Sequence, residues 1–150
     1  MRKDWLPVEE PCWLKLPKVD HASGQLCFGQ TELTIPFAIA RVFYVWDIPE
    51  NAIRGGHANI ASKEGVFCLN GGFTLWLYSV DGRSYRFRLD DPQLGVYIPP
   101  FWWVELGEYD PRTITFAVAS TIFQESDYIS DPEDFFCDQP LPYPVSRPRN

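Results

Sequence analysis

From Gln25 to Thr115 apolar side chains recur with a period of two, and turn-forming residues break the pattern at short intervals. No long stretch carries the 3.6-residue period of an amphipathic helix. Tyr85, Phe87 and Leu89 alternate with Arg86 and Arg88, and Asp81-Gly82 before them reads as a hairpin turn. Phe73, Leu75 and Leu77 alternate with Thr74, Trp76 and Tyr78. Val96 to Ile98 is a short strand stopped by Pro99-Pro100, and Ile114, Phe116 and Val118 read as the inward residues of another. Ile39 to Trp46 is apolar at both parities apart from Arg41, which predicts a strand buried on both faces. Short strands joined by turns make a sandwich or barrel. The 11 Phe, 7 Tyr and 6 Trp, with 14 Pro and 10 Gly, favour the same all-β class.

One domain is expected, with an irregular N-terminal arm over 1–24, a barrel over 25–137 and a proline-rich tail over 138–150. A single helical turn is expected around Asp131 to Phe136. The net charge of −7 argues against nucleic acid as a partner, because phosphate binding needs a basic face. No membrane span is read: the longest apolar run contains Arg41 and falls short of the roughly 20 residues a spanning helix needs. Acidic residues and Pro7 follow Arg2 and Lys3 where a secretory leader would be apolar, so the expected compartment is the cytoplasm. The four cysteines show no paired spacing and read as reduced thiols.

The segment that carries chemistry is Arg54-Gly55-Gly56-His57-Ala58-Asn59, with Glu64 and Asn70-Gly71 after it. Residues two apart on a strand share a face, so His57 and Asn59 point together. The two glycines allow a bend or the close approach of a ligand. The spacing H-x-N-x4-E-x6-G resembles the first cupin motif, with Asn59 at its second histidine. The second motif falls on Pro99 to Val104, where Val104 occupies its histidine position. Of the three histidines and one glutamate of a cupin metal site only His57 and Glu64 remain, so no bound metal is expected. Glu64 belongs either to the pocket or to a surface hairpin. Arg41, a charge inside an apolar strand, needs a partner, either a ligand diphosphate or a carboxylate such as Glu32 or Asp47. Arg54 is open to the same two readings. Tyr44, Trp76, Trp102 and Trp103 either wall a ligand site or belong to the core or an interface.

Ile35-Pro-Phe-Ala-Ile-Ala-Arg-Val-Phe-Tyr-Val-Trp46, Arg54-Gly-Gly-His57, Leu69-Asn-Gly71, Ala119-Ser120 and Asp127-Tyr128-Ile129 occur in an order that resembles the sugar 3,4-ketoisomerase branch of the cupins, the WxcM-like proteins. The resemblance implies a jelly-roll barrel, a homodimer that exchanges N-terminal strands, and a site without metal or cofactor. It also implies a dTDP-linked 4-keto-6-deoxyhexose as ligand, whose ketone moves from C4 to C3. His57 then stands at a catalytic histidine position. Asn59, in place of the second histidine, is expected to hydrogen-bond the reacting oxygen, and Tyr44 or Glu64 to replace the missing acid. Arg41, Arg54, Glu64 and Trp103 are the expected substrate-binding residues. Two functions follow: an isomerase with His57 as base, or a cupin that binds a nucleotide-sugar without turnover.

Overall fold

A computed structural model describes residues 8–137 of the chain. It contains β1 (Cys12–Lys15), β2 (Lys18–His21), β3 (Gly24–Cys27), β4 (Arg41–Val45), β5 (Arg54–Asn59), β6 (Glu64–Asn70), β7 (Phe73–Ser79), β8 (Ser84–Leu89), β9 (Leu94–Ile98), β10 (Trp102–Gly107), β11 (Ile114–Ala119), β12 (Tyr128–Ile129) and α1 (Pro132–Phe136). One five-stranded sheet has the order β1-β9-β6-β11-β4 and the other β12-β5-β10-β7-β8, while β2 and β3 form a separate hairpin. Every named strand pair is antiparallel. This is the all-β class that the alternation predicted, in the jelly-roll form that the resemblance implied.

The hairpin at Asp81-Gly82 forms as read. Gly82 takes φ +88°, and the Ser79 N–H donates to the Arg83 carbonyl at 2.9 Å. Phe87 and Leu89 are buried, while Arg86 and Arg88 pair with Glu108 and Asp110. Phe73, Leu75, Leu77, Val96 and Ile98 fill one side of the space between the sheets. The other side, between β4, β11 and β6 on one wall and β5 and β10 on the opposite wall, holds a cavity.

Two strand readings are corrected. On β11 the inward residues are Thr115 and Ala117, which line the cavity, whereas Phe116 and Val118 face away. Val118 belongs to a second apolar cluster with Leu14, Ile35, Phe37, Phe67 and Tyr97 on the outer side of the sheet. The large residues of β11 therefore pack under the N-terminal segment, and its small ones leave room inside the barrel. On β4, Phe43 and Val45 line the cavity, but Val42, Tyr44 and Trp46 are 57%, 59% and 58% exposed. Its outer face is apolar and is left open by the described residues.

The expected helical turn is α1, capped by the Asp131 carboxylate, which accepts from the Glu133 N–H at 2.9 Å. Its Phe135 and Phe136 rings lie 5.6 Å from Trp103, on the outer face of β10. The four cysteines form no disulfide, and Cys68 is buried. No helix among the described residues is long and apolar enough to cross a membrane. Residues 138–150, read as a proline-rich tail, lie outside the described residues. Phe135 is fully buried, so Phe135→Ala is expected to cost about 3–5 kcal/mol. Urea unfolding monitored by tryptophan fluorescence, with an unchanged m-value, measures this.

Candidate active site

The site begins with a backbone irregularity. In the β5–β10 ladder His57 faces Val104, but Gly55 faces Glu105, so Gly56 is an extra residue in β5. Gly55 and Gly56 both hold positive φ, +82° and +75°. A Cβ on Gly55 would lie 2.5 Å from the Val104 carbonyl oxygen, so only glycine fits. The bulge also resets side-chain parity. Arg54 and His57, three residues apart, both line the same cavity.

The opposite wall carries a row of paired residues. Ala119 is in register with Arg41 on one side and with Glu64 on the other. Directly paired residues point to the same face, so Arg41 and Glu64 flank a methyl group on the inward side. Ala117 makes the same gap between Phe43 and Val66 one row along. The resulting cavity is about 150 Å³ and is lined by His57, Glu64, Arg54, Tyr109, Tyr128 and Val104, among others. Arg54 and Tyr109 mark one end, and Glu64, Arg41 and Asp127 the other.

Asp127 ties the second end together. Its carboxylate accepts from Asn59 Nδ2 at 3.0 Å, from the Ala61 N–H at 2.6 Å and from the Ser62 N–H at 3.3 Å. Arg41 Nη1 donates to the Tyr128 hydroxyl at 3.2 Å, and the guanidinium lies over Phe43 and Phe123 at 5.4 and 5.8 Å. Its Nε is buried without a hydrogen-bond partner among the described residues. Neither Glu32 nor Asp47 forms an ion pair with it. The Tyr128 ring stands edge-on to His57 with centroids 4.9 Å apart.

Burial lowers the His57 pKa below 6.5, and the Arg41 charge adds to this. The Gly55 carbonyl and Asp127 oppose it. The interaction with Gly55 favours a proton on the nearer ring nitrogen and leaves the other lone pair free. His57 is therefore a neutral base at pH 7. Burial pushes Glu64 up to about 7, against the pull of Arg41 and with help from Asp127. The Tyr109 hydroxyl, buried and unpartnered among the described residues, is raised to about 12 by desolvation.

His57, Glu64 and Arg54 thus meet in one cavity, with Arg41 and Asn59 at its edge. Tyr44 does not join them. It lies on the outer face of β4, 5.6 Å from Trp46, because strand parity sends Phe43 inward instead. Trp103 also points away, since it neighbours the inward Val104. Its indole Nε1 donates to Glu105 Oε1 at 3.1 Å under α1. Trp76 pairs with Glu105 on that same outer side, and Trp102 caps the filled part of the interior. Asp127, Tyr128 and Tyr109 carry no sequence signal of their own for a place in the cavity, although Asp127-Tyr128 stands in the run that carries the resemblance. The donor set does not suit a first-row metal: Asn59 is engaged by Asp127, Val104 faces His57, and no group of three or more His, Cys, Asp or Glu side chains converges among the described residues.

Residues 9–139 match the sequence profile of the WxcM-like, C-terminal family (FdtA). The chain belongs to the WxcM-like family. A member from Aneurinibacillus thermoaerophilus, TDP-4-oxo-6-deoxy-alpha-D-glucose-3,4-oxoisomerase, is 30% identical over 123 residues, covering 81% of this chain and 87% of that protein. The sugar 3,4-ketoisomerase of Thermoanaerobacterium thermosaccharolyticum, solved with TDP, superposes with a TM-score of 0.81 at 27% identity, over 84% of this chain and 91% of the other. The TDP-fucose-3,4-ketoisomerase of Campylobacter jejuni superposes with a TM-score of 0.80 at 26% identity, over 85% and 94%. In this WxcM-like chain the cavity lies between the two sheets, with His57, Glu64 and Arg54 in its lining.

The two shifted groups have opposite effects on stability. Glu64 keeps its proton in the folded chain between 4.5 and about 7, where the unfolded chain has lost it. Its contribution is complete below pH 4.5 and is lost as pH rises through about 7. His57 is lowered, so its contribution is lost on acidification below 6.5. Glu64→Gln, which mimics the neutral carboxyl, is expected to raise Tm over the parent at pH 8 and to leave it nearly unchanged at pH 5. Differential scanning calorimetry at the two pH values checks the sign.

Proposed function

We propose that the protein is a TDP-sugar 3,4-ketoisomerase acting on a dTDP-4-keto-6-deoxyhexose, with His57 as the base. The observation that carries this reading is a neutral imidazole in a mostly apolar cavity between the sheets of a WxcM-like barrel. The C4 carbonyl acidifies the proton on C3, and a neutral imidazole is suited to remove it near pH 7. An enediol forms, and return of the proton to C4 completes the shift. The cavity is smaller than the 300 Å³ or more typical of a site for a whole ligand, so it takes the sugar while the nucleotide lies outside. Arg54, exposed at one end and without an ion pair among the described residues, is the proposed diphosphate contact. Arg41, half-buried beside Tyr128, is positioned to stabilise negative charge on the enediolate. Asn59, fixed by Asp127, shapes the same end of the cavity.

The reading also includes a homodimer. A groove of about 560 Å³ on the outer side of the first sheet is lined by Leu16, Ile35, Val42, Phe67 and Phe116, next to the exposed β2–β3 hairpin. A second copy of the chain is the proposed cover for this face, with N-terminal strands exchanged. Val42→Glu with Tyr44→Glu is expected to halve the mass seen by sedimentation equilibrium, and a parent that sediments as a monomer contradicts the dimer.

The activity is tested by incubating the protein with dTDP-4-keto-6-deoxyglucose in deuterated water and following the sugar by NMR. Deuterium is expected at C3 or C4, and the 3-keto product is expected to accumulate. Both should vanish in His57→Ala. Saturable TDP binding without exchange would make the protein a binding module, and no TDP binding would exclude both readings.

A further inference from the structure

The proposed reaction moves two protons. One travels between carbons, from C3 to C4, and His57 accounts for it. The other must travel between oxygens, from the C3 hydroxyl to the oxygen on C4. An amide cannot carry it, and the Asn59 side chain is already bound to Asp127. Tyr44 faces away from the cavity.

Glu64 is 5% exposed and lines the same cavity as His57. No hydrogen bond or ion pair engages its carboxyl among the described residues. A buried carboxyl left without a partner costs several kcal/mol, and a purely structural glutamate would have found one. Its neighbour in register, Ala119, is too small to obstruct it, and the next residue in that row is Arg41. Such a group in a cleft is a candidate for acid–base work.

We propose that Glu64 is the second acid–base group of the site, a carboxyl that relays the hydroxyl proton between the C3 and C4 oxygens while His57 relays the carbon-bound one. The assignment rests on the isomerase reading and deepens it. In the first step the free nitrogen of His57 takes the proton from C3. The C–H electron pair becomes the C3–C4 double bond, and the C4 oxygen takes the Glu64 proton. An enediol then faces an imidazolium and a carboxylate. In the second step the Glu64 carboxylate takes the proton of the C3 hydroxyl, the C3 carbonyl forms, and C4 takes the proton from the imidazolium. Both residues end as they began. A carboxyl suits the oxygen-side transfer because one of its oxygens donates while the other accepts.

The reaction starts with His57 neutral and Glu64 protonated. Arg41 and Asp127 are the charges that act on both groups, and Arg54, Tyr109 and Tyr128 share the cavity with them. Arg41 draws the Glu64 proton off, Asp127 and burial hold it on, and the net result is a pKa of about 7. The free protein therefore loses the acid form of Glu64 as pH rises through about 7. It loses the neutral form of His57 only below 6.5. A bell-shaped profile of kcat/KM between these limits follows.

The test compares the parent, Glu64→Gln, Glu64→Asp and Tyr128→Phe on dTDP-4-keto-6-deoxyglucose from pH 5.5 to 9, with TDP binding measured alongside. Glu64→Gln is expected to lower kcat roughly 100- to 1,000-fold, in the range of a lost general acid, with TDP affinity within about twofold. It should also remove the alkaline limb, and Glu64→Asp should restore part of both. A Glu64→Gln variant that keeps its rate and its alkaline limb overturns the assignment while the parent's activity stands. A limb that survives Glu64→Gln and disappears in Tyr128→Phe gives the proton to the phenol and overturns it too. A parent that does not convert the sugar sinks the isomerase reading, and this relay with it.

Discussion

The close approach of the β5 backbone to the Val104 carbonyl is the constraint on which the site depends. Two consecutive glycines at positive φ let β5 take up an extra residue without losing its ladder to β10. A regular strand would send Arg54 and His57 to opposite faces. With the bulge, both enter the space between the sheets, and Ala58 stays in the core. A side chain at Gly55 would meet backbone, which cannot move aside as a flexible side chain can.

The facing sheet supplies the volume. Strand β11 puts Ala117 and Ala119 where β4 and β6 offer Phe43, Arg41, Val66 and Glu64, and it turns Phe116 and Val118 outward. The same choice that opens a cavity inside builds a second apolar cluster outside, so stability does not require the barrel to be filled. Desolvation in that cavity then acts on two groups in opposite directions, lowering the imidazole and raising the carboxyl. Both are driven toward their neutral forms, which suits a base and an acid meant to start uncharged.

The sequence showed the fold class, the Asp81-Gly82 hairpin, the helical turn at Asp131 and the bend beside His57, because each has a local signature. What it hid depended on which face of a strand was inside. Strand β4 is apolar at both parities, so nothing local distinguished inward Phe43 from outward Tyr44. Trp103 stood next to the motif position at Val104, and one residue of parity places it under α1 rather than in the cavity. Arg54 joined His57 only through a bulge, although Gly55-Gly56 announced that the backbone bends. Asp127 and Tyr128 come from a distant part of the chain, so only the closed barrel brings them to Arg41 and Asn59.

In the proposed function the sugar enters the cavity and presents C3 to the side chain at position 57. A crystal structure of the His57→Asn variant with dTDP-4-keto-6-deoxyglucose tests it most directly. C3 is expected within about 3–3.5 Å of the residue 57 side chain, with the C3 and C4 oxygens turned toward Glu64 and the nucleotide outside the barrel. Sugar density on the outer face of β4, or beside Trp103 under α1, with the cavity left to solvent, would contradict it.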